Sequence, residues 1–74
     1  MDLLELAADL SELAMNWIEE GLLDDSLYLD LIKVLHAVTN DRVVTFYADD
    51  ALIELFWEAY NDEHPIWNHL ELET

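Results

Sequence analysis

The chain predicts a compact all-α bundle of three or four helices, and three observations carry that expectation. Apolar residues recur at alternating three- and four-residue steps, the spacing of amphipathic helices. Hydrophobic residues make up 54% of the sequence, far above the sparse composition of a disordered acidic tail. Seventy-four residues make one domain, near the small end of what folds without staples.

The first helix spans Met1 to Glu20. Leu3, Leu6, Leu10, Leu13 and Trp17 share one face. Asp2, Glu5, Asp9, Glu12, Asn16 and Glu19 follow the same steps on the opposing face, within an arc of about 100°. Leu4, Ala7, Ala14, Met15 and Ile18 widen the apolar arc to about 200°, which points to contacts on two sides. Gly21 stands where a helix C-terminus wants a left-handed residue.

Asp24 and Asp25 are candidate N-caps for a second helix running to about Thr39. Its polar stripe is narrow: Ser26, Asp30 and Lys33. Leu27, Tyr28, Leu31, Ile32, Val34, Leu35 and Val38 cover most of the remaining circumference, so this is the expected central helix. Asn40 and Asp41 break the pattern. The β-branched and aromatic run from Arg42 to Tyr47 then offers a short β element around Val43 to Tyr47. A lone strand needs a partner, and only the tail near Ile66 to Leu72 could supply one; an irregular or helical link is the equal alternative.

Asp49 or Asp50 caps a third helix reaching about Asn61, on which Asp50, Glu54, Glu58 and Asp62 form a four-spaced acidic row. Leu52, Ile53, Leu55, Phe56, Trp57, Ala59 and Tyr60 fill its other side. Pro65 can open a short fourth helix, where its missing N–H is harmless. Residues 71–74 are expected to fray.

Charge dominates the functional reading. Eighteen Asp and Glu stand against two cations, Lys33 and Arg42, for a formal net charge of −16. General scaling for this length gives a radius of gyration of roughly 11 Å and a body about 29 Å across. B-DNA carries one charge per roughly 1.7 Å of axis, so 16 charges match about 27 Å of duplex. Ordinary helix faces interleave acids with Lys and Arg, because opposite charges at i,i+4 support a helix. Here the acids repel one another at that spacing. The sequence accepts a stability cost to keep a field of one sign.

That charge opposes binding to anionic membranes and to nucleic acid itself. No uncharged run approaches the roughly 20 residues that span a bilayer. The first 20 residues hold four Glu, two Asp and no cation, unlike a secretory signal. A cytoplasmic protein with a basic protein partner is the expectation. Without cysteine there is neither a disulfide nor a thiolate zinc site. His64 and His69 are five apart and miss the i,i+4 spacing of helical zinc pairs, His36 reads as structural, and no calcium-loop pattern occurs. Neither metal nor cofactor is expected. Catalysis is not expected either: the acids fall at solvent-facing positions, Ser11 and Ser26 lack a nucleophile's context, and one glycine builds no phosphate-cradling loop.

The expected binding residues are Glu5, Asp9, Glu12, Glu19, Asp50, Glu54, Glu58 and Asp62, with Trp57 as an aromatic anchor beside the acids. In charge, size and helicity the chain resembles the small acidic DNA-mimic inhibitors of phages and mobile elements, anti-CRISPR and anti-restriction proteins among them. That resemblance implies a non-enzymatic blocker in the host cytoplasm, occupying the DNA groove of a defence protein. Two alternatives follow from the residues: an immunity protein or antitoxin that neutralises a basic toxin, and a homodimeric adaptor joined through the wide apolar arc of the first helix.

Overall fold

Helix α1, Leu3–Glu19, starts at Asp2, whose carboxylate accepts the Leu4 backbone N–H at 3.1 Å. It stops as the lone glycine requires. Gly21 takes φ +73°, the Gly21 N–H donates to Ile18 O and the Leu22 N–H to Trp17 O, closing a Schellman motif. The computed structural model describes residues 2–47 and 50–73. The expected roles of Met1, Asp49 and Thr74 therefore lie outside the described residues.

Helix α2, Asp25–Thr39, is capped by Asp24, which accepts the Leu27 N–H at 2.9 Å. Asp25 is the first residue inside the helix. A second Schellman motif ends α2: Asp41 N–H donates to Val38 O and Arg42 N–H to Ala37 O. Here the left-handed position is filled by Asp41 at φ +52°. As expected, α2 is the hub, meeting α1, α3, the first strand and the turn after α3. Its burial is less complete than its composition implies, for Tyr28 and Leu29 stay exposed.

The chain then departs from an all-α bundle. Strand β1, Val44–Tyr47, pairs in parallel with strand β2, Leu70–Glu73, in the register Val44 with Leu70 and Phe46 with Leu72. Parallel neighbours need a crossover. Helix α3, Asp50–Ala59, and a 3₁₀ helix, Pro65–His69, supply it. The C-terminal half is thus a minimal β-α-β unit laid against an α-helical hairpin. Residues 71–73, expected to fray, are held in the ladder instead. Buried His69 adds a tie, its Nδ1–H donating to Arg42 O at 2.9 Å just ahead of β1. The fourth helix is a 3₁₀ turn, capped by His64, whose ring Nδ1 accepts the Ile66 N–H at 3.1 Å.

One core joins the two halves. Leu6, Leu10, Ala14 and Trp17 of α1 meet Leu27, Leu31, Val34 and Val38 of α2, and Phe46, Leu52, Phe56, Ile66 and Leu70 close it from the β-α-β side. Phe56 is its aromatic centre. Trp17 and Trp67 pack edge-on to its ring at 5.6 and 6.4 Å, and Tyr60 stacks at 6.3 Å. Burying a side chain of this size contributes about 1.5–3 kcal/mol. The radius of gyration is 11.3 Å and the extents are 29 × 28 × 21 Å.

Candidate functional site

The acids stay outside that core because helical period puts them there. On α1, Glu5, Asp9, Glu12 and Glu19 lie away from the buried Leu6, Leu10 and Trp17, and all four are exposed. On α3, Leu52 and Phe56 fix the inner face, so Asp50, Glu54 and Glu58 point outward and are exposed. Asp62 does not continue that row. The helix ends at Ala59, and Asp62 sits in the turn before the 3₁₀ helix, exposed but off the helical line. Asn61 explains the early stop: its side chain accepts the Glu63 N–H at 3.0 Å, a local turn bond that competes with another helical turn.

The two acidic helices meet near the C-terminal end of α3. There Asp9, Glu12, Leu13 and Asn16 of α1 face Ala59 and Tyr60 across a shallow groove of about 370 Å³. Burial pushes the Tyr60 hydroxyl above the ordinary tyrosine value, and the nearby Asp9 carboxylate pushes it the same way. His64 stacks on Tyr60 with ring centres 4.1 Å apart. Burial holds its imidazole below the usual histidine value, with the charge of Asp9 opposing. Asp9 thus borders the same groove as Tyr60, while Asp50, Glu54 and Glu58 line the outer face of α3. Among the described residues no three carboxylates or imidazoles converge closely enough to hold a metal ion.

The two cations lie elsewhere. Lys33 and Arg42 both line one groove of about 320 Å³ at the C-terminal end of α2, with Ile32, His36, Asn40 and Val43 among its walls. Among the described residues the only ion pair is Lys33 with Asp30, at 3.7 Å, with Lys33 mostly exposed and Asp30 partly buried. No residue of α1 or α3 lines that groove. The acids of both helices are left without a cationic partner among the described residues. His36 is exposed at the same groove, so its part in the fold is its carbonyl, which accepts from the Asn40 side chain at 2.8 Å.

Trp57 is half exposed, at 50% of its surface, as its place between the apolar arc and the acidic row of α3 implies. Sequence reasoning did not find its neighbour. Trp67, from the 3₁₀ helix, lies with its ring centre 4.4 Å from that of Trp57, and its indole N–H donates to Asn61 O at 2.7 Å. This pairing crosses the turn ahead of Pro65, where no helical period links the two positions. A Trp already held by a second indole loses little freedom on meeting a partner. Glu54, three residues before Trp57 on α3, is its neighbour on the helix surface, so anchor and charge share one surface.

Among the described residues no helix is long and apolar enough to cross a membrane. No known family matches the sequence, and no characterised protein or solved structure matches the chain.

Proposed function

We propose that this protein is a non-enzymatic inhibitor of the phage type, acting in the host cytoplasm, whose acidic surface takes the place of DNA in the basic groove of a CRISPR or restriction protein. One observation carries the reading. Both cations line one groove along the C-terminal half of α2, to which α1 and α3 contribute no residue, so charge of one sign covers those helices without local neutralisation. Sixteen net charges on a body 29 Å long approach the linear density of duplex DNA, about 27 Å for the same charge. Carboxylates would stand in for phosphates against Lys and Arg, and the long-range field would speed encounter.

The test is displacement. A purified CRISPR or restriction complex holding a labelled duplex is titrated with this protein, and release of the duplex is the expected result. Free duplex should show no mobility shift with the protein at any concentration. Co-occupancy of protein and duplex on the complex would contradict the proposal.

The Trp57–Trp67 pair favours a second reading, an immunity protein or antitoxin against one basic toxin. That kind of interface concentrates its affinity in a few aromatic anchors. A homodimeric adaptor is the third reading, supported by the exposure of Leu4, Met15 and Ile18 on α1.

A further inference from the structure

Helix α1 carries a second, mostly apolar line that the fold leaves bare. Leu4, Ala8, Ser11, Met15 and Ile18 follow steps of four, three, four and three residues, and all five are exposed. Leu4 is 70% exposed and Met15 63%. Leu22, just past the Schellman glycine, extends the line. Over these four turns the stripe runs about 21 Å. Its centre is flat because Ala8 and Ser11 are small, and the larger Leu4, Met15 and Ile18 stand at its ends. Such a profile lets a second helix approach closely, with its own large side chains seated over the small positions.

What borders the stripe decides what can cover it. Each stripe residue is followed by a polar one, so that Glu5, Asp9, Glu12, Asn16 and Glu19 form a rail along one edge, 100° around the helix. The opposite edge turns into the molecule through Ala7 and buried Ala14. A second copy fits this stripe less well than a cationic helix does. An antiparallel two-fold pair would lay rail against rail, and each copy brings a net charge of −16.

We propose that the exposed stripe of α1 is a docking site for a basic amphipathic helix of the target protein, its apolar residues against Leu4, Met15 and Ile18 and its Lys and Arg along the Glu5–Glu19 rail. The sign of the partner's charge rests on the inhibitor reading above. The helical shape and the register come from α1 itself. The acids alone would attract any cationic surface; the stripe adds a demand for shape, which is how one basic protein is distinguished from another.

The test uses two synthetic 21-residue peptides of identical composition, made of Leu, Ile, Lys, Arg and Ala. One has its apolar residues at three- and four-residue steps, and the other is scrambled to have no apolar face. At 150 mM NaCl the striped peptide should bind the full-length protein at least ten-fold more tightly than the scrambled one. The neutral double variant Met15→Gln/Ile18→Gln alters only exposed positions and keeps the charge, and it should erase that preference. Equal binding of the two peptides, or a preference that survives in the variant, overturns the proposal. So does sedimentation of the wild type as a dimer that the same variant dissociates, for the stripe would then be covered by a second copy. Glu54→Lys/Glu58→Lys on α3 separates this inference from the inhibitor reading. That variant should keep the peptide preference while losing displacement of duplex from the defence complex. A lost peptide preference in the wild type with intact displacement rejects only the docking site.

Discussion

Salt should stabilise this protein, and the size of the effect can be worked from its helices. Asp2–Glu5, Glu5–Asp9 and Asp9–Glu12 on α1, and Asp50–Glu54 and Glu54–Glu58 on α3, are like-charged neighbours at i,i+3 or i,i+4. Each such pair opposes its helix by about 0.2–0.5 kcal/mol, so together they cost roughly 1–2.5 kcal/mol. The side chains concerned lie about 5–6 Å apart, well inside the Debye length of roughly 30 Å at 0.01 M salt and outside the roughly 3 Å at 1 M. Raising NaCl across that range should remove most of the repulsion, including the weaker terms between helices. For a domain of this length 1 kcal/mol moves the melting temperature by about 4–8 °C, so a rise of about 4–20 °C is expected. Circular dichroism melts at 222 nm in a NaCl series measure it. Chloride is the proper anion, because sulfate would strengthen apolar burial on its own account. A melting temperature that stays flat or falls would mean that the acids are compensated locally, and the single-sign surface would be refuted.

Three further perturbations address the scaffold and the rim of the groove. Phe56→Leu should cost about 1–1.5 kcal/mol and Phe56→Ala about 3–5 kcal/mol in urea melts, since the ring joins Trp17, Tyr60 and Trp67; equal costs for the two would deny Phe56 its central place. Asp41→Gly should raise stability by about 0.5–1 kcal/mol by relieving the left-handed strain at φ +52°, and a loss on substitution would mean that the Asp41 side chain holds the turn. The folded state holds His64 below its unfolded value of about 6.5, so the unfolded chain takes up that proton first as pH falls. Its contribution to stability therefore declines from about pH 6.5 down to the folded value and is level below it. Asp9→Asn should depress His64 further, read from its ring resonances by NMR titration, and an upward shift would show that Asp9 is not the opposing charge.

Local signals in this sequence were readable; of the long-range pairings, only the tail as a possible partner for the strand was. Asp24, Gly21 and the break at Asn40–Asp41 mark helix ends because capping uses side chains and backbone within a few residues. The faces of α1 and α3 followed from helical period, which also put the α1 acids and Trp57 on the surface. Four-spaced continuity failed at Asp62, where Asn61 turns the chain. The strand at Val44–Tyr47 was visible in its β-branched and aromatic residues, but the direction of its pairing with Leu70–Glu73 was not. The crossover through α3 and the 3₁₀ helix brings the tail back beside β1 in the same direction, and the His69–Arg42 O bond closes that end of the ladder. The Trp57–Trp67 contact was hidden for the same reason, since it depends on how the turn before Pro65 folds back. The second stripe of α1 was present as an unusually wide apolar arc, and only the packing shows which part of that arc stays bare.

The central claim is that the acidic surface, rather than an aromatic anchor, carries recognition. It is tested most directly by identifying the partner captured from host lysate by mass spectrometry and measuring that purified partner's affinity for three forms of this protein. These are the wild type, Glu54→Lys/Glu58→Lys and Trp57→Ala. The double reversal turns the Asp50–Glu54 repulsion into an attraction and leaves like charges at positions 54 and 58, so the melting temperature should hold or rise, and a loss of binding cannot then be a loss of folding. The reversal should weaken binding by more than ten-fold, and the wild-type affinity should itself fall steeply as NaCl rises. Trp57→Ala should weaken binding by less. Affinity untouched by the two reversals but abolished by loss of Trp57 would contradict the account.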